Sequence, residues 1–157
     1  MYIVIFGPPG AGKGTQAIKL AKNFNFLHLS TGDVFRRNIK GKTALGKLAS
    51  SYIDKGELVP DDVTIRMLED EVNSHPDVKG IIFDGFPRTI TQAEALDRFL
   101  EEKYGQRVHK MLSLEVNDDE LTRRLLERGK TSGRSDDHDP SIIKNRIIEY
   151  NNKTAPP

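Results

Sequence analysis

The segment Gly7-Pro8-Pro9-Gly10-Ala11-Gly12-Lys13-Gly14-Thr15 sets glycines, one lysine and one hydroxyl close together. Residues without a Cβ let successive backbone N–H groups point into one concavity, where a phosphate can sit. A helix starting at Lys13 would add its positive end to that cradle. Lys13 is long enough to reach between β- and γ-phosphoryl oxygens. The spacing departs from the strict G-x-x-x-x-G-K-[ST] form: Gly14 follows the lysine, and the hydroxyl arrives one residue later at Thr15. The plain alternative is a glycine-rich turn with a surface lysine. A strand before the segment and a helix after it favour the phosphate cradle.

A second group of residues could neutralise anions. Arg88 leaves a buried strand through Asp84-Gly85-Phe86-Pro87. Arg124, Arg128, Arg134 and Arg146 fall in the last quarter of the chain. Taken alone, these four read as helix-surface charges paired with Asp119, Glu127 and Asp136. His28, His75, His109 and His138 are scattered, and none is assigned a role. No histidine or carboxylate pair stands out as a general base.

Composition narrows the partners. The 157 residues carry 24 Lys+Arg against 23 Asp+Glu, a net charge of +1, so no general attraction to nucleic acid or anionic membrane is expected. With no Cys, disulfide frameworks and thiolate zinc sites are excluded. No apolar run approaches the ~20 residues that span a bilayer. Met1 leads straight into an apolar run without a basic leader, so the sequence predicts a soluble cytoplasmic protein.

The elements that must hold these residues follow from the apolar patterning. Residues 2–6 form a continuous apolar run, as in a strand buried on both faces. Further strands are predicted over 27–29, 80–83 and 111–116. Helices are predicted from 13 to about 24, with Ala17, Leu20, Ala21 and Phe24 on one stripe, and over 34–40 and 45–55. Another runs from 61 to about 73, with Val63, Met67 and Val72 inward. Thr91-Gln92-Ala93-Glu94 reads as a capping box opening a helix to about 103. Asn117 caps a helix stopped by Gly129, and Asp139-Pro140 starts the last one, carrying Ile142, Ile143, Ile147 and Tyr150. Strands alternating with helices imply a mostly parallel sheet with helices on both faces and ligands at the strand carboxyl ends.

Gly7 to Gln16 resembles the phosphate loop of the nucleoside monophosphate kinases. Four further segments match that family in order: Ser30-Thr31-Gly32-Asp33 with Arg36; Gly56-Glu57-Leu58-Val59-Pro60-Asp61; Asp84-Gly85-Phe86-Pro87-Arg88 with Gln92; and Gly133-Arg134-Ser135-Asp136-Asp137. Thr31 and Gln92 are the types found in the adenylate kinases, where relatives acting on UMP or CMP tend to have Ala and Asn. A Gln amide can offer a donor and an acceptor together to an adenine edge.

The resemblance implies an α/β fold, a phosphate-loop NTPase-like parallel sheet with a small helical AMP-binding insert and a short lid. It implies a single kinase domain with a core of 1–29, 60–127 and 140–157, an AMP-binding lobe of 30–59 and a lid of 128–139. The activity implied is reversible phosphoryl transfer from Mg·ATP to AMP, giving two ADP. ATP would be bound by Gly10, Ala11, Gly12, Lys13, Gly14, Thr15 and Arg128. AMP would be bound by Thr31, Gly32, Arg36, the wall Glu57, Leu58 and Val59, the turn Gly85, Phe86, Pro87 and Arg88, and Gln92, Arg134 and Arg146. Lys13, Arg88, Arg128, Arg134 and Arg146 would act on the transferring group. Asp84 would orient Mg²⁺ through water. The Phe86–Pro87 bond is a candidate cis peptide, Arg124 stays on the surface, and a lid this short implies no structural metal. Gly32, Gly56, Gly129 and Gly133 are candidate hinges, and a monomer without nucleic-acid or membrane partners is expected.

Family members usually continue beyond the length seen here, so the sequence predicts four strands present and a fifth, with its helix, missing. A strand over 111–116 would then lose apolar partners. Two other readings remain open at this point: a UMP/CMP kinase, and a nucleotide-binding fragment with little activity.

Overall fold

The computed structural model describes residues 1–155; Pro156 and Pro157, the end of the predicted core segment 140–157, lie outside the described residues. The chain divides into two compact units. The first comprises Met1–Phe6, Gly12–Gly32 and Pro60–Ser113, and the second Gly7–Ala11, Asp33–Val59 and the chain from Leu114 onward.

The first unit is built on a fully parallel four-stranded sheet. Its strands are β1 (Tyr2–Phe6), β2 (Leu27–Ser30), β3 (Ile81–Asp84) and β4 (Lys110–Ser113), in the order β2-β3-β1-β4. The apolar runs earn their central places. Ile81, Ile82 and Phe83 have no exposed surface, and Tyr2 to Ile5 are buried as well. Helices α1 (Lys13–Phe24), α4 (Asp61–Asn73) and α5 (Ile90–Tyr104) complete the unit. Leu68 and Val72 of α4 and Leu96 and Leu100 of α5 join Val4, Leu29, Phe83 and Phe86 in one core. At roughly 1.5–3 kcal/mol per fully buried large side chain, that cluster is the unit's main source of stability.

Several expectations need correction. Phe24 is exposed and stacks on Phe26 at 5.7 Å between ring centroids, beyond the turns of α1 that face the sheet. Val63 is only half-buried, and Thr64 and Leu68 take the inward positions beside Met67. The start of α5 is set by Thr89, whose hydroxyl accepts from the Gln92 N–H, not by Thr91, which lies within the helix. β4 ends at Ser113 and is exposed throughout, with Met111 at 63%; Leu114 and Val116 instead pack in the second unit's core. His109 is structural. Its Nδ1 accepts from the Tyr2 N–H at 3.0 Å, and its own N–H donates to the Tyr2 carbonyl.

Helix α2 (Thr31–Lys40) follows β2 directly, and its body from Asp33 belongs to the second unit. That unit also holds α3 (Ala44–Ile53), α6 (Asp118–Ser132), a 3-10 turn (Ser135–Asp137), α7 (Pro140–Glu149) and a closing π-helical turn (Tyr150–Thr154). The predicted caps at Asn117 and Asp139 are in place, accepting from the N–H groups of Glu120 and Ser141. Leu121 and Leu125 of α6 meet Ile143 and Ile147 of α7 around Ala11.

Gly129 does not stop α6. The helix runs on to Ser132, and Gly133, in the left-handed region at φ 68°, ends it. Gly129 is buried inside the helix because the Asp137 backbone crosses it. An added Cβ would lie 3.0 Å from the Asp137 carbonyl carbon and closer still to its oxygen. The lid expected over 128–139 therefore begins as helix, and Gly129 is a contact point, not a hinge. Helix propensity alone would make Gly129→Ala stabilising by about 1 kcal/mol. The backbone clash, worth about 1–3 kcal/mol, wins. Urea denaturation of Gly129→Ala should show a lower midpoint than wild type; a higher one would refute the close approach.

Candidate active site

In the second unit, Gly10 is seated against Leu125, and the Ala11 N–H donates to the Pro8 carbonyl at 3.2 Å, curling the loop on itself. In the first unit the chain resumes at Gly12, whose φ of 94° places it in the left-handed region immediately before α1. Nothing lies within 4 Å of a Cβ added there, so backbone conformation, not lack of space, calls for glycine. Lys13 and Gly14 open α1, and Thr15 is exposed on its first turn. The N–H groups of a helix's first turn point outward along the axis, the arrangement that suits an anion.

Asp84 closes β3 with only 8% of its surface exposed. A Cβ on Gly14 would lie 3.6 Å from its Oδ2, so the carboxylate faces the first turn of α1. His28 Nε2 sits 3.0 Å from the same oxygen. The register pairs Ser30 with Asp84, which makes His28 its diagonal neighbour on one face of the sheet. No role was assigned to His28 from sequence; strand alternation with Leu29 was the available signal.

At the same strand end, the Gly85 carbonyl accepts from the Thr31 hydroxyl at 3.0 Å and from Arg88 Nε at 2.7 Å. The Phe86–Pro87 bond is cis, as expected. The Phe86 ring is 1% exposed in the core, so only its backbone can meet a ligand. Gln92 is not a surface residue. It is 2% exposed, and its Oε1 accepts from the Arg88 N–H at 2.8 Å. Gly32 is half-buried one residue into α2.

In the second unit the arginines converge on two buried carboxylates. Arg128 grips Asp137 with two bonds, Nε to Oδ2 at 2.6 Å and Nη2 to Oδ1 at 3.0 Å. Arg146 Nη1 reaches Asp137 Oδ1 at 2.7 Å and Asp136 Oδ2 at 3.2 Å. The surface pairing expected of these arginines with Asp119 and Glu127 is replaced by this buried clamp. Glu127 pairs with Lys130, and Arg124 stays outside on Glu120, whose carboxyl Arg123 and then Arg124 hold at about 2. Arg36 bonds Asp33, and Arg134 lies 3.9 Å from the same carboxylate. Burial, then repulsion from Arg36 and Arg128, lowers the proton affinity of Arg134. Arg134 is thus a partly buried guanidinium with two other cations near it.

Glu57 is exposed, Leu58 is half-buried with its N–H 3.5 Å from Glu149 Oε2, and Val59 is buried. Gly56 is packed against α7, where an added Cβ would be 2.8 Å from the Ile142 carbonyl.

The family model described as adenylate kinase matches residues 5–157. Adenylate kinase of Flavobacterium psychrophilum is 61% identical over 98% of this chain and 80% of the relative. That of Flavobacterium johnsoniae is 58% identical over the same shares. The enzyme of Parabacteroides distasonis is 53% identical over 99% of this chain and 81% of its own length. The chain belongs to the adenylate kinase family.

That membership makes it a phosphotransferase, and the donor set can be tested against the Mg²⁺ such chemistry uses. Among the described residues no three His, Cys, Asp or Glu side chains gather into a metal cage. A single buried carboxylate facing a helix N-terminus suits Mg²⁺, which keeps its waters and takes most remaining ligands from phosphates. Asp84 fits the ion. Among the described residues, no helix is long and apolar enough to cross a membrane.

Asp137 is the carboxylate bonded by both Arg128 and Arg146. Burial alone would raise its carboxyl, but the Arg128 hydrogen bond and charge, joined by Arg146, outweigh burial and hold it below the ordinary carboxylate range. Such a depressed group stabilises the fold above the unfolded value near 4, and loses that contribution as pH falls through its folded value. Asp137→Asn should cost about 2–3 kcal/mol at pH 7, less than a fully buried pair because Arg128 is partly exposed. In pH-dependent denaturation the gap to wild type should narrow steadily below about pH 4. A gap independent of pH would show that the clamp is not ionic.

Proposed function

We propose that the protein catalyses reversible phosphoryl transfer from Mg·ATP to AMP, giving two ADP. The observation that carries this reading is the gathering of four guanidiniums on two carboxylates, Arg36 and Arg134 at Asp33 and Arg128 and Arg146 at Asp137. Such a cluster gains most from a multiply charged anion, and two nucleotides exchanging a phosphoryl group supply one.

In this reading Gly10 to Thr15 cradle the ATP phosphates, with Lys13 drawing charge from the transferring group. Arg128 serves the same nucleotide. Arg36 and Arg88 hold the AMP phosphate, because a planar fork matches phosphate oxygens. Thr31, Gly32, Glu57 to Val59, the Gly85-to-Arg88 turn and Gln92 surround AMP, and Arg134 and Arg146 complete the neutralisation. Asp84 would hold Mg²⁺ through water, and the ion would supply positive charge to the phosphates. An AMP phosphate is already ionised at neutral pH, so no side chain needs to remove a proton. Residues 30–59 serve as the AMP lobe and 128–139 as the lid, around a core of 1–29, 60–127 and 140–157. Closure of lobe and lid keeps water from the γ-phosphoryl group. The protein works as a cytoplasmic monomer without nucleic-acid or membrane partners.

Phosphorus NMR of the full chain with Mg·ATP and AMP should show ADP accumulating, and UMP or CMP should be poor substitutes. Arg88→Ala should lower turnover by about 10²–10³, the usual loss for one preorganised charge-stabilising donor. Its melting temperature should stay close to that of wild type. Near-normal turnover in Arg88→Ala would remove Arg88 from the site, and preferred use of UMP or CMP would overturn the assignment of the acceptor.

A further inference from the structure

We infer that Asp61 sets the base specificity of the AMP site by locking the Gln92 amide in one of its two orientations; this rests on the reading that Gln92 meets the base. Asp61 is the first residue of α4, and its Oδ1 accepts from Gln92 Nε2 at 2.8 Å and from the Thr89 hydroxyl at 3.0 Å. That hydroxyl in turn accepts from the Gln92 N–H at 3.2 Å, so both ends of the residue are tied to one carboxylate. On the other side, the Arg88 N–H donates to Gln92 Oε1 at 2.8 Å.

The two anchors have opposite polarity. A carboxylate oxygen can only accept, and a backbone N–H can only donate. Turning the amide over would set its NH₂ against the Arg88 N–H and its oxygen against the Asp61 carboxylate. In a residue only 2% exposed, neither mismatch can be relieved by water. The orientation therefore follows from chemistry.

Counting valences shows what remains. The amide oxygen has two lone pairs and uses one; the amide nitrogen has two hydrogens and uses one. One acceptor and one donor are left side by side. Adenine presents an amino donor at C6 beside the N1 acceptor, which that pair can satisfy. A 6-oxopurine presents the reverse, an O6 acceptor beside an N1–H donor, and fits only the inverted amide. Rejection of 6-oxopurines is then held by Asp61, acting through Gln92. It is a positioning residue.

The competing role for Asp61 is purely structural, as a carboxylate in the first turn of α4 alongside Asp62. The two roles separate in the acceptor ratio. A structural defect lowers activity with every acceptor together, whereas a released amide changes one acceptor relative to another. Steady-state kinetics of wild type, Asp61→Ala, Asp61→Asn and the control Asp62→Ala should be measured with AMP and with IMP at saturating Mg·ATP. Asp61→Ala should lower the AMP-over-IMP ratio of kcat/KM by about tenfold or more, the scale of one lost charge-assisted bond. The KM for ATP should be unchanged. Asp61→Asn, which keeps an acceptor oxygen but adds a competing NH₂, should fall between, and Asp62→Ala should keep the wild-type ratio.

An Asp61→Ala ratio within twofold of a wild type that prefers AMP would overturn this inference alone. A wild type that does not use AMP would overturn the functional reading and this inference with it. If Asp61→Ala fails to fold, Asp61→Asn decides: an unchanged ratio overturns the inference, and a loss of threefold or more supports it.

Discussion

A carboxylate with no exposed surface, bonded by guanidiniums on two sides, is the constraint on which the second unit depends. Asp137 joins Arg128 of α6 to Arg146 of α7, so it fixes where two positive charges stand. Burying charges costs several kcal/mol per ion, and only good geometry offsets it. The geometry here is two-pronged from Arg128, with Arg146 shared between Asp136 and Asp137. Gly129 makes it possible by letting the Asp137 backbone touch α6. Packing at a glycine and pairing at an aspartate are one feature. They hold the two guanidiniums in fixed positions.

The first unit solves a related problem with hydrogen bonds. Strand β3 is wholly buried, and everything it delivers at its carboxyl end is tied down: Asp84 by His28, the Gly85 carbonyl by Thr31 and Arg88, and Gln92 by Arg88 and Asp61. Ligands of parallel sheets collect at this edge because side chains and free backbone groups emerge there from a rigid support.

The legible part of the sequence was the part governed by short-range rules. Apolar runs located β1 and β3, and side-chain caps located the starts of α6 and α7. The glycine-rich loop before α1 and the Gly85-to-Arg88 turn could be found because their glycines and prolines are local necessities. What escaped depends on partners far along the chain. Gly129 looks like a helix stop until Asp137 is brought against it. Thr91 looks like a cap until the chain's exit from β3 places Thr89 there first. Asp61 lies 31 residues before Gln92, and His28 lies 56 before Asp84. Neither pairing has a local pattern. The short, exposed β4 was misjudged because an apolar run does not reveal which of its residues will turn to a second core at Leu114 and Val116.

Phe86 carries a consequence of its own. Its ring is seated with Leu96 and Leu100 in the first unit's core, while Gly85 just before it and Arg88 two residues after it belong to the polar edge. The hydrocarbon interior is therefore the foundation of that turn. A void opened beneath it would loosen the turn without touching a charge, so a defect in oily packing would surface at the polar edge. At this position evolution cannot adjust the interior and the chemistry separately.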